Sequence, residues 1–334
     1  MKGIRRVLQR AHHRLFPLPN VVGMGIGYKK TAQKRTDELA LVVYVSRKEK
    51  YRDLAPKEII PRSIDKVPTD VVEIGEVRLL KDRRSKMRPA QPGCSIGHGN
   101  ITAGTFGALV KDNKTQELLI LSNNHVLANA TDGEDGRAKL GDMILQPGPY
   151  DGGSRDDAIG VLHRFVPINT ELQVPECAVA KLAERVENRI LSLLRPDYQV
   201  QFLKTEAKGN LVDCALAKPL SPRLVNPEIM EIGGITGTGT MEPGMKVQKS
   251  GRTTGLTQGE VKTIATSLRV QVALGTYALF VDQAVSNIKS AGGDSGSLVL
   301  DGDNRAVGLL FAGSDRFTII NQISNVLRQL DVAF

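Results

Sequence analysis

Residues 292–297 read GGDSGS, and a serine set between glycines is the sharpest chemical signal in the chain. Such a serine can sit in a tight turn that exposes its hydroxyl, with the backbone N–H groups of Gly293 and Ser295 directed into one pocket as an oxyanion hole. Glycine at 293 lets the peptide take the orientation this requires. The same hexapeptide also suits a plain glycine-rich hairpin turn. A serine at its free pKa is a weak nucleophile, so it needs a base and a group to orient that base. Of five histidines, His12 and His13 lie in a basic N-terminal stretch, His98 in a glycine-rich one and His163 within an alternating strand. His125 stands at the end of an apolar strand in LILSNNHVLA and is the candidate base. Asp213, in NLVDCALAKP, lies inside an apolar run where an uncompensated carboxylate is costly, and an imidazole N–H would satisfy it. Asp157, in DDAIGVL, has the same acid-then-apolar form; Asp213 is preferred because Asp156 and Asp157 follow a polar, glycine-rich loop. Either acid falls between His125 and Ser295. The histidines and cysteines show no metal-ligand spacing, and no metal or cofactor is expected.

The elements that must position these residues are mostly strands. Short apolar segments separated by turn signals run over 106–111, 117–122, 143–146, 158–165, 245–250, 260–266, 278–282, 297–300 and 306–311, an all-β pattern. Two helices interrupt it. Between Pro175 and Pro196, Val179, Leu182, Val186, Ile190 and Leu193 step by helical spacing and predict a helix with one apolar face, docked on the domain surface; Asn321–Leu330 closes the chain. Ahead of these, Ile4, Val7, Leu8, Ala11 and Leu15 predict an amphipathic helix ending before Pro17, docked on its own domain. Strands are expected over 22–28, 39–46 and 70–77, with a helical turn around 54–60, which makes a small α+β domain. The segment KDRRSKMRPAQPG, residues 81–93, is basic and proline-bearing and marks a linker. The expected divisions are a front domain 1–77, a linker 78–92 and a β domain 93–334.

With the order His125, Asp213, Ser295 in place, residues 93–334 resemble the chymotrypsin/trypsin-like serine protease family in its bacterial form. The likeness extends to KSGRTTGLTQGEV, residues 249–261, as the strand and turn before the nucleophile, and to AVGLLFAGS, residues 306–314, as the strand after it. The resemblance implies two antiparallel six-stranded β-barrels, here with a helical insertion and a C-terminal helix, and a serine endopeptidase working through an acyl-enzyme. Ser295 would be the nucleophile, His125 the general base and acid, Asp213 the orienting carboxylate, and Gly293 with Ser295 the oxyanion hole. It also implies that Asp294 is buried and ion-paired, and that Phe311, Ala312 and Gly313 pair with substrate. Lys289 falls at the base of the primary pocket, where an ammonium would favour an acidic side chain; it can equally reach solvent and leave Ser290 lining the pocket. The chain departs from the family in carrying Asn123 and Asn124 before the histidine, and in lacking the usual aromatic floor beside Phe311. The stretches NVVGMGIGY and PTDVVEIGEV resemble the segment before the protease in some bacterial trypsin-like proteins.

Composition narrows the setting. The chain has 334 residues, 41% of them hydrophobic, which excludes a disordered or fibrous protein, and its longest apolar runs fall far short of the roughly 18 residues of a membrane span. Residues 1–92 carry a formal charge of +12 and the remainder −3. That front excess can bind nucleic acid or an anionic membrane surface, or be a solvated tail and linker. A nucleic-acid or membrane-surface binding protein with a latent protease-like domain is therefore the alternative function. The partners expected otherwise are a protein or peptide substrate and the front domain as an intramolecular regulator. An α/β-hydrolase esterase is disfavoured, because both its serine context and its residue order are absent. Arg10, His12, His13 and Arg14 interrupt any signal-peptide core, and three widely spaced cysteines suggest no disulfide framework, so a cytoplasmic location is expected.

Overall fold

The computed structural model describes residues 2–31, 34–75, 77, 82–100, 103–173, 177–202, 204–205, 209–273 and 275–334. The chain divides into two compact units, Met1–Lys81 and Asp82–Phe334.

In the first unit the helix Lys2–Leu15 stops just before Pro17 and buries Val7, Ala11 and Leu15. Val7 and Ala11 pack with Leu41 of the sheet beneath, so the helix's apolar stripe is used within its own unit. The sheet runs Val21–Thr31, Lys34–Val45, Val67–Glu73, Ser63–Ile64. Its first pair is antiparallel, with Gly25 opposite Val42, and its second is parallel, with Leu41 opposite Thr69. The crossover holds two 3₁₀ turns, Tyr51–Asp53 and Pro56–Glu58. The third strand lies three residues ahead of its expected start, because Pro68 is tolerated at the second position of a strand. Its expected end at Val77 includes Glu76, outside the described residues.

The second unit is mainly β. One sheet has eight strands in the order Val332–Ala333, Ala108–Asp112, Leu118–Ser122, Ala215–Pro219, Ala158–Phe165, Met143–Leu145, Ser95–His98, Gly104–Thr105. The other has seven, Gly237–Thr238, Arg305–Gly313, Leu298–Asp301, Lys246–Gly251, Gly255–Ala273, Thr276–Ser286, Thr318–Gln322. Arg305–Gly313 also pairs with Thr318–Gln322, which joins the ends of a six-strand ladder. Against the six strands expected in each barrel, the first sheet holds eight, and the second closes a six-strand ladder with Gly237–Thr238 added at its edge. Short strands such as Gly237–Thr238, which runs parallel to Arg305–Gly313, carry too few residues for an alternation to show. Three apolar clusters follow from this layout. Ile96, Ile120, Ile144 and Ile159 fill the first sheet; Val247, Val261, Val299 and Ile320 fill the second. Leu121, Leu216, Leu298 and Leu309 meet at the seam between them, covered by Val326 and Leu330 of the helix Ile323–Leu330.

Two expectations fail here. The stretch Asp82–Pro92 is no solvated linker but part of the second unit. Arg83 donates to Ser250 Oγ (2.8 Å) and Gly93 O (3.2 Å) and pairs with Glu231, while Arg88 donates to Gln146 O (3.1 Å) and Asp157 O (3.0 Å). Arginine carries five N–H donors that carbonyl oxygens can accept, so a basic run need not be free. Easy cleavage is accordingly not expected across 83–88; Arg78 and Lys81 lie outside the described residues. The inserted helix forms over Ala178–Leu194 but is not docked by its apolar face, which is exposed.

Candidate active site

His125 lies in the short helix Asn124–Leu127, directly after strand Leu118–Ser122, and Asp213 lies two residues before strand Ala215–Pro219, which pairs with it. That pairing brings the two residues together. Asp213, buried, accepts from the backbone N–H of His125 at 3.2 Å through one oxygen and hydrogen-bonds His125 Nδ1 through the other. A carboxylate is acceptor-only, so Nδ1 carries the proton and Nε2 is left as the base. Burial lowers the pKa of His125, but the charge of Asp213 and the shared hydrogen bond outweigh it and hold the imidazole above its ordinary value.

The two asparagines before His125 have defined work. Asn123 Nδ2 donates to Asp213 O at 2.7 Å, and Asn124 Nδ2 donates to Thr131 O (3.0 Å) and Val166 O (2.7 Å). Asn321, from the other sheet, grips the Asp213 peptide at both ends, accepting from its N–H at 3.1 Å and donating to its carbonyl at 3.2 Å. The Asp213 backbone is thus fixed by Asn123, just after the strand Leu118–Ser122 of the first sheet, and by Asn321 of the second. Asp157 is far from this role: it pairs with Lys86 at 2.6 Å and caps the turn at Ser154.

The serine loop is built by its neighbours. Residues 291–294 form a turn closed by Asp294 N–H to Ala291 O at 2.9 Å, with Gly293 at φ +94°. A side chain at 293 would put its Cβ 2.5 Å from Arg252 Nη1 and 2.7 Å from Thr253 Oγ1, so glycine is required twice over. Thr253 Oγ1 donates to Gly292 O (2.7 Å) and Thr105 Oγ1 to Gly293 O (2.8 Å). Across a trans peptide the N–H opposes the C=O, so anchoring Gly292 O turns the Gly293 N–H the other way. The N–H groups of Gly293 and Ser295 have no hydrogen-bond partner among the described residues.

Asp294 is fully buried beside Lys249, also fully buried, with Nζ at 3.2 Å. It accepts four further bonds, from Thr253 N (2.8 Å), Thr254 N (3.0 Å), Thr254 Oγ1 (2.6 Å) and Ala291 N (3.0 Å). Burial raises its pKa, but the Lys249 charge and these donors hold it below the usual carboxylate value. Behind the loop, the buried Arg252 forks onto Asp151, with Nε to Oδ2 at 2.7 Å, and Ser95 Oγ shares that oxygen at 2.6 Å. This bridge ties the second sheet to the first. The Lys249 and Arg252 roles went unread in the sequence, although both residues stand in the KSGRTTG segment that drew notice.

The other expected residues divide. Ser295 Oγ donates to Phe311 O at 3.2 Å, and no hydrogen bond joins it to His125. A cleft of about 560 Å³ is lined by His125, Asp213, Phe311, Ala312 and Gly313. Its apolar wall includes Phe280, whose ring packs 4.7 Å from that of Phe311, so an aromatic floor is supplied by strand Thr276–Ser286 rather than by the segment searched for it. Ser290 is half-buried and bonded to Thr318 Oγ1 at 2.6 Å. Lys289 is exposed, with its carbonyl held by Thr257 Oγ1, and does not line the cleft. Burial pushes the thiol of Cys94 up to about 12 and that of Cys214 well above its ordinary value, so neither is a ready nucleophile. No group of three or more metal-ligating side chains occurs among the described residues.

No family model matches the sequence, and no curated protein matches it. Solved structures do. Protease A from Thermobifida fusca is 15% identical with a TM-score of 0.45, over 73% of this chain and 98% of its own. The Nocardiopsis protease is 15% identical with a TM-score of 0.46, over 73% and 98%. Cellulomonas bogoriensis chymotrypsin is 14% identical with a TM-score of 0.43, over 73% and 96%. These are distant structural likenesses to bacterial proteases of the trypsin/chymotrypsin-like fold.

Proposed function

We propose that the second unit is a serine endopeptidase. The observation that carries this reading is a cleft lined both by the carboxylate-oriented imidazole of His125 and by Phe311, whose carbonyl accepts from Ser295 Oγ, with the N–H groups of Gly293 and Ser295 unpartnered among the described residues. For this, Ser295 Oγ must leave Phe311 O, to which it donates, for His125 Nε2. Ser295 Oγ then attacks the substrate carbonyl carbon while its proton passes to Nε2, and the oxyanion is held by the N–H groups of Gly293 and Ser295. Collapse breaks the C–N bond, the imidazolium gives its proton to the leaving amine, and water hydrolyses the ester by the same steps. Asp213 stays ionised and stabilises the imidazolium. Ala312 and Gly313 would hold the peptide backbone along the cleft, and the basic front unit would regulate or target the enzyme. Three unpaired thiols suit a reducing, cytoplasmic setting.

Fluorophosphonate labelling of the full chain tests the reading. Wild type should label at Ser295, and Ser295→Ala and His125→Ala should not. Labelling that survives in Ser295→Ala, or is absent from wild type together with any peptidase activity, defeats it. In that case salt-dependent binding of nucleic acid by the front unit becomes the function to examine.

A further inference from the structure

The helix Ala178–Leu194 is inside out. Val179, Leu182, Val186, Ile190 and Leu193 form one continuous stripe, yet each is at least half exposed, between 50% and 84%. The opposite, polar face is the one its own chain covers. Asn188 clamps Val200 through two hydrogen bonds, Nδ2 to its carbonyl at 2.8 Å and Oδ1 from its N–H at 2.7 Å, and Glu184 accepts from Phe202 N–H at 3.2 Å. A returning segment therefore occupies the polar side, and the apolar side lies exposed among the described residues. Leaving five branched aliphatic side chains in water along one line is what a surface awaiting a partner looks like.

We propose that this stripe pairs with the same stripe of a second copy of the chain, the two helices lying parallel. Charge decides both partner and direction. At 100° per residue, Arg185 and Arg189 lie on one flank of the stripe and Glu187 on the other, with Lys181 turned toward the polar side. All four are exposed, and none makes an ion pair among the described residues. A twofold axis parallel to the helices sets each basic flank against the partner's Glu187, with identical aliphatic side chains level with one another. An antiparallel pair would set basic flank against basic flank. One helix face gives less than the roughly 1,600 Å² of a standard interface, so the dimer is a micromolar one, formed and lost with concentration.

Sedimentation equilibrium of the full chain from about 1 to 200 µM reads this directly. Wild type should dimerise, and Val186→Asp should weaken the dimer at least tenfold or so without altering the circular dichroism, since residue 186 touches nothing it must hold. Arg185→Glu and Glu187→Arg should each weaken it about threefold, and the double reversal should recover most of that loss. In a Cys177→Ser background, Val179→Cys should form an intermolecular disulfide on oxidation, whereas an antiparallel pair centred on Val186 would hold the two positions about 21 Å apart along the axis. A chain that stays monomeric throughout, or a dimer indifferent to Val186→Asp, overturns the proposal. So does a monomer that binds vesicles of about 30% phosphatidylserine in phosphatidylcholine through Val186, which would assign the stripe to a lipid surface.

Discussion

Lys249→Met tests the platform under the candidate oxyanion loop. The substitution keeps an unbranched apolar chain out to Cε and removes the ammonium, leaving Asp294 as a buried carboxylate without a counter-ion. Breaking a buried pair from one side costs about 3–5 kcal/mol. Here the four other donors to Asp294 lie at 2.6 to 3.0 Å, closer than Lys249 Nζ at 3.2 Å, and all of them remain. The cost should therefore fall at the low end, about 3 kcal/mol. Its pH dependence carries the sign. In wild type the folded pKa of Asp294 is depressed, so its contribution is present above the unfolded carboxylate pKa and is lost as pH falls through the folded value. In Lys249→Met the counter-charge is gone while burial stays, so the folded pKa of Asp294 rises and its stabilising contribution shrinks. The deficit should be larger at about pH 7.5 than at about pH 5. Hydrogen exchange of peptides within residues 286–300, followed through urea unfolding of the intact chain, reports this region alone. A variant as stable as wild type at the higher pH, or a deficit that does not change with pH, would refute the reasoning that Lys249 holds the loop by charge.

Three further outcomes are expected. The rate of fluorophosphonate labelling should rise with pH through an inflection above the ordinary histidine value, because protonated His125 cannot accept the serine proton; Asp213→Asn should lower that inflection and slow labelling about 10⁴-fold. Gly293→Ala should cut labelling about 10²-fold or more while Ser295 remains in place, measured as the ratio of labelling rates, because the new Cβ forces the turn and its N–H off their present course. Arg252→Lys should lower the calorimetric melting temperature of the second unit by about 5–10 °C, since an ammonium cannot reproduce the two-point bond to Asp151 across the sheets.

Legibility tracked the reach of the interactions. The strands around His125, Asp213 and the serine loop could be read because alternation and turn residues are local signals; Asp213 was set above Asp157 because Asp157 follows a polar, glycine-rich loop, and in the structure Asp213 is buried while Asp157 caps the turn at Ser154. Asn123, Asn321, Arg252 and Lys249 could not be assigned roles, because each acts on a residue more than forty positions away. A polar side chain in an apolar run announces that it has a partner without naming it. Asp82–Pro92 shows the converse error. Its charge density matched a solvated linker, yet Arg83 and Arg88 are spent on carbonyls of the second unit, which composition does not register.

The helix Ala178–Leu194 marks a different boundary. Its 3-4-4-3 apolar spacing predicted the element correctly and its docking wrongly. Periodicity states that a face is costly to leave in water, and that cost is the same whether the cover comes from the chain itself, from another copy or from a lipid surface. What separates these cases is the opposite face. A helix docked by its stripe leaves its polar side to solvent, whereas here Glu184 and Asn188 are already engaged by residues 200–202, so the chain has spent its own covering segment on the side that needed it less. The apolar side is left for another cover, and Arg185 and Arg189 on one flank of it with Glu187 on the other are the part of the sequence that says what.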